Sequence, residues 1–131
     1  MNKLRDNQKC FVCGTKNPIG LAVDFDINRE KRSSTAHFIP LDVHQGFEGI
    51  VHGGILCALL DEAMAKLAFS LGHKAVTAEL TVKFKAPASP GEELLVIGRI
   101  TGENRKLVTA EAKIERGLVL IAEATGKLLK I

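Results

Sequence analysis

Residues 51–68 read "VHGGILCALLDEAMAKLA", and the architecture of the whole chain turns on them. Every residue from Ile55 to Leu60 is apolar; Asp61 and Glu62 then arrive together, and the run opens on Gly53 and Gly54. At about 100° per residue, Leu56, Leu60, Ala63, Met64, Leu67 and Leu71 fall within an arc of roughly 100°. The spacing therefore predicts a largely buried helix from about Gly54 to Leu71. Gly72 suits the left-handed position beyond its end, and His73 and Lys74 suit the negative pole of its dipole.

Working outward, "LAVDFDI" (21–27) sets Leu21, Val23, Phe25 and Ile27 opposite Asp24 and Asp26, the period of a half-buried strand. "STAHFI" (34–39) predicts a second strand, and the Pro- and Gly-bearing run from 40 to 54 reads as a loop. After the helix, "VTAELTVKFKA" (76–86) places Leu80, Val82 and Phe84 on one face. Thr77, Glu79, Thr81, Lys83 and Lys85 fall on the other. "LLVIGRI" (94–100), "KLVTAEAKI" (106–114) and "LVLIAEATGKLL" (118–129) continue as strands. Two strands, a long helix and four strands, joined too tightly for parallel crossovers, predict an α+β fold. Its antiparallel sheet wraps around one long central helix, and residues 1–131 form a single domain.

Composition narrows the function. With 131 residues, 46% hydrophobic and 25% charged, one compact core is expected. Trp and Tyr are absent and aromatics make up 5%, which leaves little platform for stacking bases. The net charge of +3 comes from cations interspersed with acids, so no nucleic-acid partner is expected. No run approaches the roughly 18 apolar residues of a membrane span, and "MNKLRDNQKCF" lacks an apolar leader core, so the expected location is cytoplasmic, with no membrane partner. Three cysteines disfavour a disulfide scaffold. "CFVCG" (10–14) is a C-x₂-C pair, but a zinc site takes four ligands and no second pair exists. A Cys₄ site shared by two chains would meet the count, while thiol packing is the plainer reading; neither metal nor cofactor is expected.

The acid pair divides in two. Glu62 stands four residues before Lys66, the favourable order for a surface ion pair of about 0.3–0.5 kcal/mol. Asp61 instead has small angular neighbours, Cys57, Ala58, Ala65 and Ala68, none of which satisfies a carboxylate. Either it bonds a neighbouring strand or solvent, or the small side chains leave room beside it for a substrate. Gly53 and Gly54 offer no side-chain cap, so the first-turn amides are open to water, a strand or a ligand, at the positive pole of the dipole. Such amides can hold a carbonyl oxygen as it turns negative. Gly54 and Asp61 lie seven residues, about 10 Å, apart along the axis. If both act on one carbon, the acid comes from a second chain whose helix lies antiparallel alongside.

"GIVHGGILCALLDEAMA", "VTAELTVKFKAPASPGE" and "CFVCGTKNPIGL" together resemble the hotdog-fold acyl-CoA thioesterases of the PaaI type and their THEM relatives, over essentially the whole chain. The resemblance implies metal-free hydrolysis of an acyl-CoA thioester by a side-by-side homodimer, often paired into a tetramer. It implies Asp61 as general base or nucleophile, the Gly54 amide as the oxyanion contact, His52 as its orienting partner and Thr77 as a positioner of water beside the acid. A nearby helix N-terminus or the Thr77 hydroxyl would keep Asp61 charged. Several relatives carry Asn where this chain has Gly46, which leaves Gln45 or His44 as stand-ins. Gly53 is expected against the ligand, and Lys83, Lys85 and Arg105 against the CoA phosphates. Two other readings share the fold: a hydroxyacyl-thioester dehydratase using His52 and Asp61, and a non-catalytic acyl-CoA-binding or sensor module.

Overall fold

The computed structural model describes residues 4–131. Its elements run β1 (Asp26–Asn28), β2 (Ser33–Phe38), a short 3₁₀ turn (Asp42–His44), α1 (Gly53–Ser70), β3 (Ala75–Phe84), β4 (Leu94–Glu103), β5 (Leu107–Arg116) and β6 (Val119–Lys130). All six strands join one antiparallel sheet in the order β1-β2-β4-β5-β6-β3. The long helix and the meander that follows it appear where the hydrophobic periods put them. Among the described residues no helix is long and apolar enough to cross a membrane.

The helix buries Leu56, Leu59, Leu60, Ala63, Met64, Leu67 and Ala68. This face is wider than the predicted stripe, because the sheet curls around the helix; Leu71, at the C-cap, is only half-buried. Gly72 takes the left-handed conformation with φ at 93°, as the cap requires. Close approach of helix and sheet is set at Gly98, where an added Cβ would lie against the Ala63 carbonyl and 2.6 Å from Ser34 Oγ. The fully buried Ser34 hydroxyl donates to that same carbonyl at 2.7 Å, so the one buried polar side chain among the described residues is satisfied.

Residues 21–25 depart from the expected strand. Their inward alternation survives, with Val23 and Phe25 buried, but Leu21 N–H and Val23 N–H donate to the Phe11 and Val12 carbonyls at 2.8 Å each. The N-terminal segment thus pairs with them before the sheet begins at Asp26, and Ala22 turns through a φ of 52°. The expected loop at 40–54 holds the 3₁₀ turn and a bridge between Gln45 and Val51.

Candidate active site

Two features converge on α1, its N-terminal turn and the middle of its length. At the start, His52 is the N-cap and its Nδ1 accepts from Gly54 N–H at 2.8 Å. The expectation that glycines leave this turn without a side-chain cap is thereby corrected: the cap stands one residue upstream, and the Gly54 amide is engaged. The His52 carbonyl accepts from Ile55 and Leu56. Gly53 N–H takes part in none of the hydrogen bonds that tie the turn together, so among the described residues it is the first-turn amide left for another group. A Cβ on Gly53 would meet only the Phe84 ring, at 3.5 Å.

The loop before the helix shapes the other side of His52. A Cβ at Gly46 would stand 3.3 Å from His52 Cδ2, which explains a glycine where a side chain would push the cap aside. Gln45 is turned back on its own loop, donating to the Asp42 carbonyl at 2.9 Å and accepting from Gly49 N–H at 2.6 Å. His44 Nδ1 accepts from Leu41 N–H at 2.9 Å, with its ring 5.5 Å from Phe38. Both residues named as stand-ins are thus engaged in holding the loop.

Asp61 is half-buried on α1, and Thr77 Oγ1 donates to its Oδ1 at 2.6 Å. Its Oδ2 makes no hydrogen bond among the described residues. Simple alternation had placed Thr77 with Glu79, Thr81 and Lys83 on the outer face. A bulge corrects it: between Thr77 and Glu79 the β3–β6 register slips, and Thr77 joins Leu80 and Val82 on the helix side. Cys57, one turn before Asp61, has its thiol pushed to a higher pKa by burial and by the Asp61 charge.

The remaining predicted residues are spread more widely. Lys83 and Lys85 lie at the end of β3 that carries Phe84 over Gly53; Lys83 stands opposite Glu123 in the β3–β6 register, and Lys85 Nζ lies 3.9 Å from Glu123 Oε1. Arg105 sits in the β4–β5 turn, near the helix C-terminus, where Glu103 meets His73 at 3.5 Å. It is therefore not gathered with the two lysines. A concavity of about 720 Å³ lies on the sheet's outer face among Arg99, Glu111, Lys113 and Glu123, away from Asp61.

Sequence reasoning missed one cluster. Lys66 reaches Asp6 at 3.7 Å, and no Glu62–Lys66 pair forms. Glu62 Oε2 instead accepts from Cys10 Sγ at 3.4 Å, with Cys13 beside both. Nothing local links positions 10, 13 and 62; only the packing of the N-terminal segment on α1 brings them together.

A helix capped by His-Gly-Gly, wrapped by an antiparallel sheet and carrying a strand-bonded acid in its middle, defines a hotdog-fold protein of the PaaI/THEM-like type. The sequence model of the Thioesterase superfamily matches residues 48–118, more than half of the chain, and the chain belongs to that superfamily. It is 38% identical over 55 residues to the mouse (Mus musculus) acyl-coenzyme A thioesterase THEM5, a match covering 42% of this chain and 22% of that protein. The chain spans less than two thirds of the length of each curated relative it matches, 22%, 47% and 59%. Among solved structures, a phenylacetic acid degradation-related protein from Ralstonia eutropha JMP134 superposes with a TM-score of 0.76 at 25% identity, covering 83% of this chain and 85% of that one. The protein smu.793 of Streptococcus mutans UA159, solved bound to acetyl CoA, shares the fold with a TM-score of 0.77 at 23% identity, covering 89% and 96%.

Proposed function

We propose that this protein is a cytoplasmic acyl-CoA thioesterase that works as a homodimer and hydrolyses a fatty or aryl acyl-CoA to the free acid and CoA. The observation that carries the reading is the Thr77–Asp61 hydrogen bond, which holds one carboxylate oxygen and leaves the other without a hydrogen bond among the described residues, on a helix whose neighbouring turns carry the small residues Cys57, Ala58 and Ala65. Superfamily membership and the acetyl CoA bound to the Streptococcus mutans relative support it.

In this mechanism Asp61 Oδ2 takes a proton from a water that the Thr77 hydroxyl helps to orient. The water oxygen bonds to the thioester carbon, and the carbonyl oxygen becomes an oxyanion held by the Gly53 N–H and the positive end of α1. The C–S bond then breaks, and the CoA sulfur leaves as thiolate or takes the proton back from Asp61. His52 acts by holding the first turn in shape through the Gly54 amide. Gly53 and Asp61 are eight residues apart on one helix, about 12 Å of rise, so the two groups reach one carbon only from different chains. β3, the outermost strand beside β6, has a free edge along which a second copy's β3 can pair, and two dimers can stack into a tetramer. Lys83 and Lys85, at the Phe84 end of β3, are the candidate contacts for the CoA phosphates.

The test is a panel of acyl-CoAs mixed with a thiol-detecting reagent. Release of free CoA by the protein, lost in Asp61→Asn while acyl-CoA binding persists, is the expected result. Retained release in that variant, or binding of acyl-CoA with no release by the unaltered protein, would show a different enzyme or a binding module.

A further inference from the structure

The N-terminal segment meets α1 at a group of side chains that the hydrolytic mechanism does not use. The Cys10 and Cys13 sulfurs and a Glu62 carboxylate oxygen all lie within 4.8 Å of one another, and all three residues are half-buried. Among the described residues no Lys, Arg or His forms an ion pair with Glu62; its hydrogen-bond donor is the Cys10 thiol, a weak one. A carboxylate in that position attracts a cation rather than two neutral sulfurs.

The backbone is shaped to present both sulfurs to one point. Gly14 N–H donates to the Cys10 carbonyl at 2.9 Å, closing a tight turn over "CFVCG". A Cβ on Gly14 would come within 2.6 Å of the Cys10 and Gln8 carbonyl oxygens, so the turn closes only with glycine after the second cysteine. In a tetrahedral zinc site with Zn–S near 2.3 Å and Zn–O near 2.0 Å, a sulfur and an oxygen ligand are about 3.5 Å apart. Cys10 Sγ and Glu62 Oε2 are 3.4 Å apart.

We infer that Cys10, Cys13 and Glu62 form a zinc site that fastens the N-terminal segment to the central helix, with water supplying the fourth ligand that a tetrahedral zinc takes. Soft sulfur ligands joined by one carboxylate select zinc over magnesium or calcium. Zinc is held by thiolate sulfur, so binding releases a proton from each thiol to solvent. The segment so held contributes Val12 to the core and pairs with residues 21–23.

Reduced protein, stripped with a chelator and titrated with cobalt(II) and then zinc under anaerobic conditions, tests this without reference to activity. Cobalt at one equivalent per chain is expected to give thiolate charge-transfer and tetrahedral ligand-field absorption, which zinc bleaches. Saturating zinc is expected to protect two thiols from a thiol reagent and to raise Tm by several degrees. Glu62→Gln should weaken zinc binding about tenfold or more. Cys13→Ser should abolish the absorption, and Cys57→Ser should leave it unchanged. The inference fails if the unaltered protein gives no cobalt–thiolate band, if Glu62→Gln binds as tightly as the parent, or if the reduced protein takes up no metal and simply joins Cys10 to Cys13 on air exposure.

Discussion

Thr77 Oγ1 donates a 2.6 Å hydrogen bond to Asp61 Oδ1, across sixteen residues and from strand to helix. The bond exists because β3 is bulged after Thr77, which turns the hydroxyl inward onto α1. Thr77→Ala removes the donor that orients the carboxylate and the water. We expect kcat for thioester hydrolysis to fall about tenfold or more, within the range that positioned general-base catalysis supplies. Thr77→Ser keeps the hydroxyl and should stay close to the parent. Equal activity in Thr77→Ala and Thr77→Ser would mean that the bond is only structural.

Helix–sheet packing gives a prediction about stability that is separate from the chemistry. At Gly98 a methyl group would press on the Ala63 carbonyl, which is backbone and cannot rotate away. Gly98→Ala should therefore cost about 2–3 kcal/mol, as overpacking of a filled core does. Ser34→Ala should cost about 1 kcal/mol, because the Ala63 carbonyl loses one of its hydrogen bonds and no void of consequence opens. Urea unfolding of the two variants checks the order; a Gly98→Ala protein as stable as the parent would show that the helix can shift outward freely.

These residues also mark what the sequence could and could not reveal. The helix, the succession of strands along the chain and the acid beside small neighbours follow from local periodicity, because 3.6- and 2-residue repeats are written in adjacent positions. Thr77 escaped the simple reading because one extra residue in a strand reverses its alternation, and a bulge depends on the partner strand β6. The His52 cap is not legible in the glycines themselves: it comes from a ring nitrogen two residues before Gly54, within reach of its amide. Glu62 was assigned to Lys66 by helical spacing, yet Asp6 and the two cysteines compete for those partners from a segment half the chain away.

Acid should act on one surface cluster in a defined direction. The Lys130 ammonium, 2.7 Å from Glu103, with His73 and Arg32 assisting, holds the Glu103 carboxyl below its usual range. A carboxyl lowered in the folded state stabilises it fully above the unfolded value, about pH 4.3, and loses that contribution as pH falls through the lowered folded value. Glu103→Gln should therefore lower Tm at pH 7, with the difference from the parent shrinking below about pH 4 and vanishing once the carboxyl is protonated in both states. The group is exposed, so the effect is small and salt-sensitive. Thermal scans of both proteins at pH 7 and near pH 3, at low and high salt, check it; a gap that widens in acid would contradict the assignment.

Subunit mixing separates a shared site from a self-contained one. Gly53 is the first residue of α1, and His52 before it has φ −59° and ψ 132°, the conformation favoured ahead of proline. Gly53→Pro thus removes the N–H that has no partner among the described residues while suiting the first helical position, so the helix should persist. Alone, this variant should lose about 10²–10³ in kcat, as when one oxyanion donor is deleted. Asp61→Asn alone should lose about 10²–10⁴. When the two inactive proteins are unfolded, mixed and refolded together, half of the dimers formed are hybrids. If the acid of one chain serves the amide of the other, each hybrid has one site with both groups intact and one with neither. Activity should then return to about one quarter of the parent's, a value set by random pairing of two chains. If both groups served their own chain's site, every site in the mixture would lack one of them and no activity would return. A mixture as inactive as its components, with both variants folded and dimeric, would rule out the cross-chain arrangement and leave the amide and the acid working on different parts of the substrate.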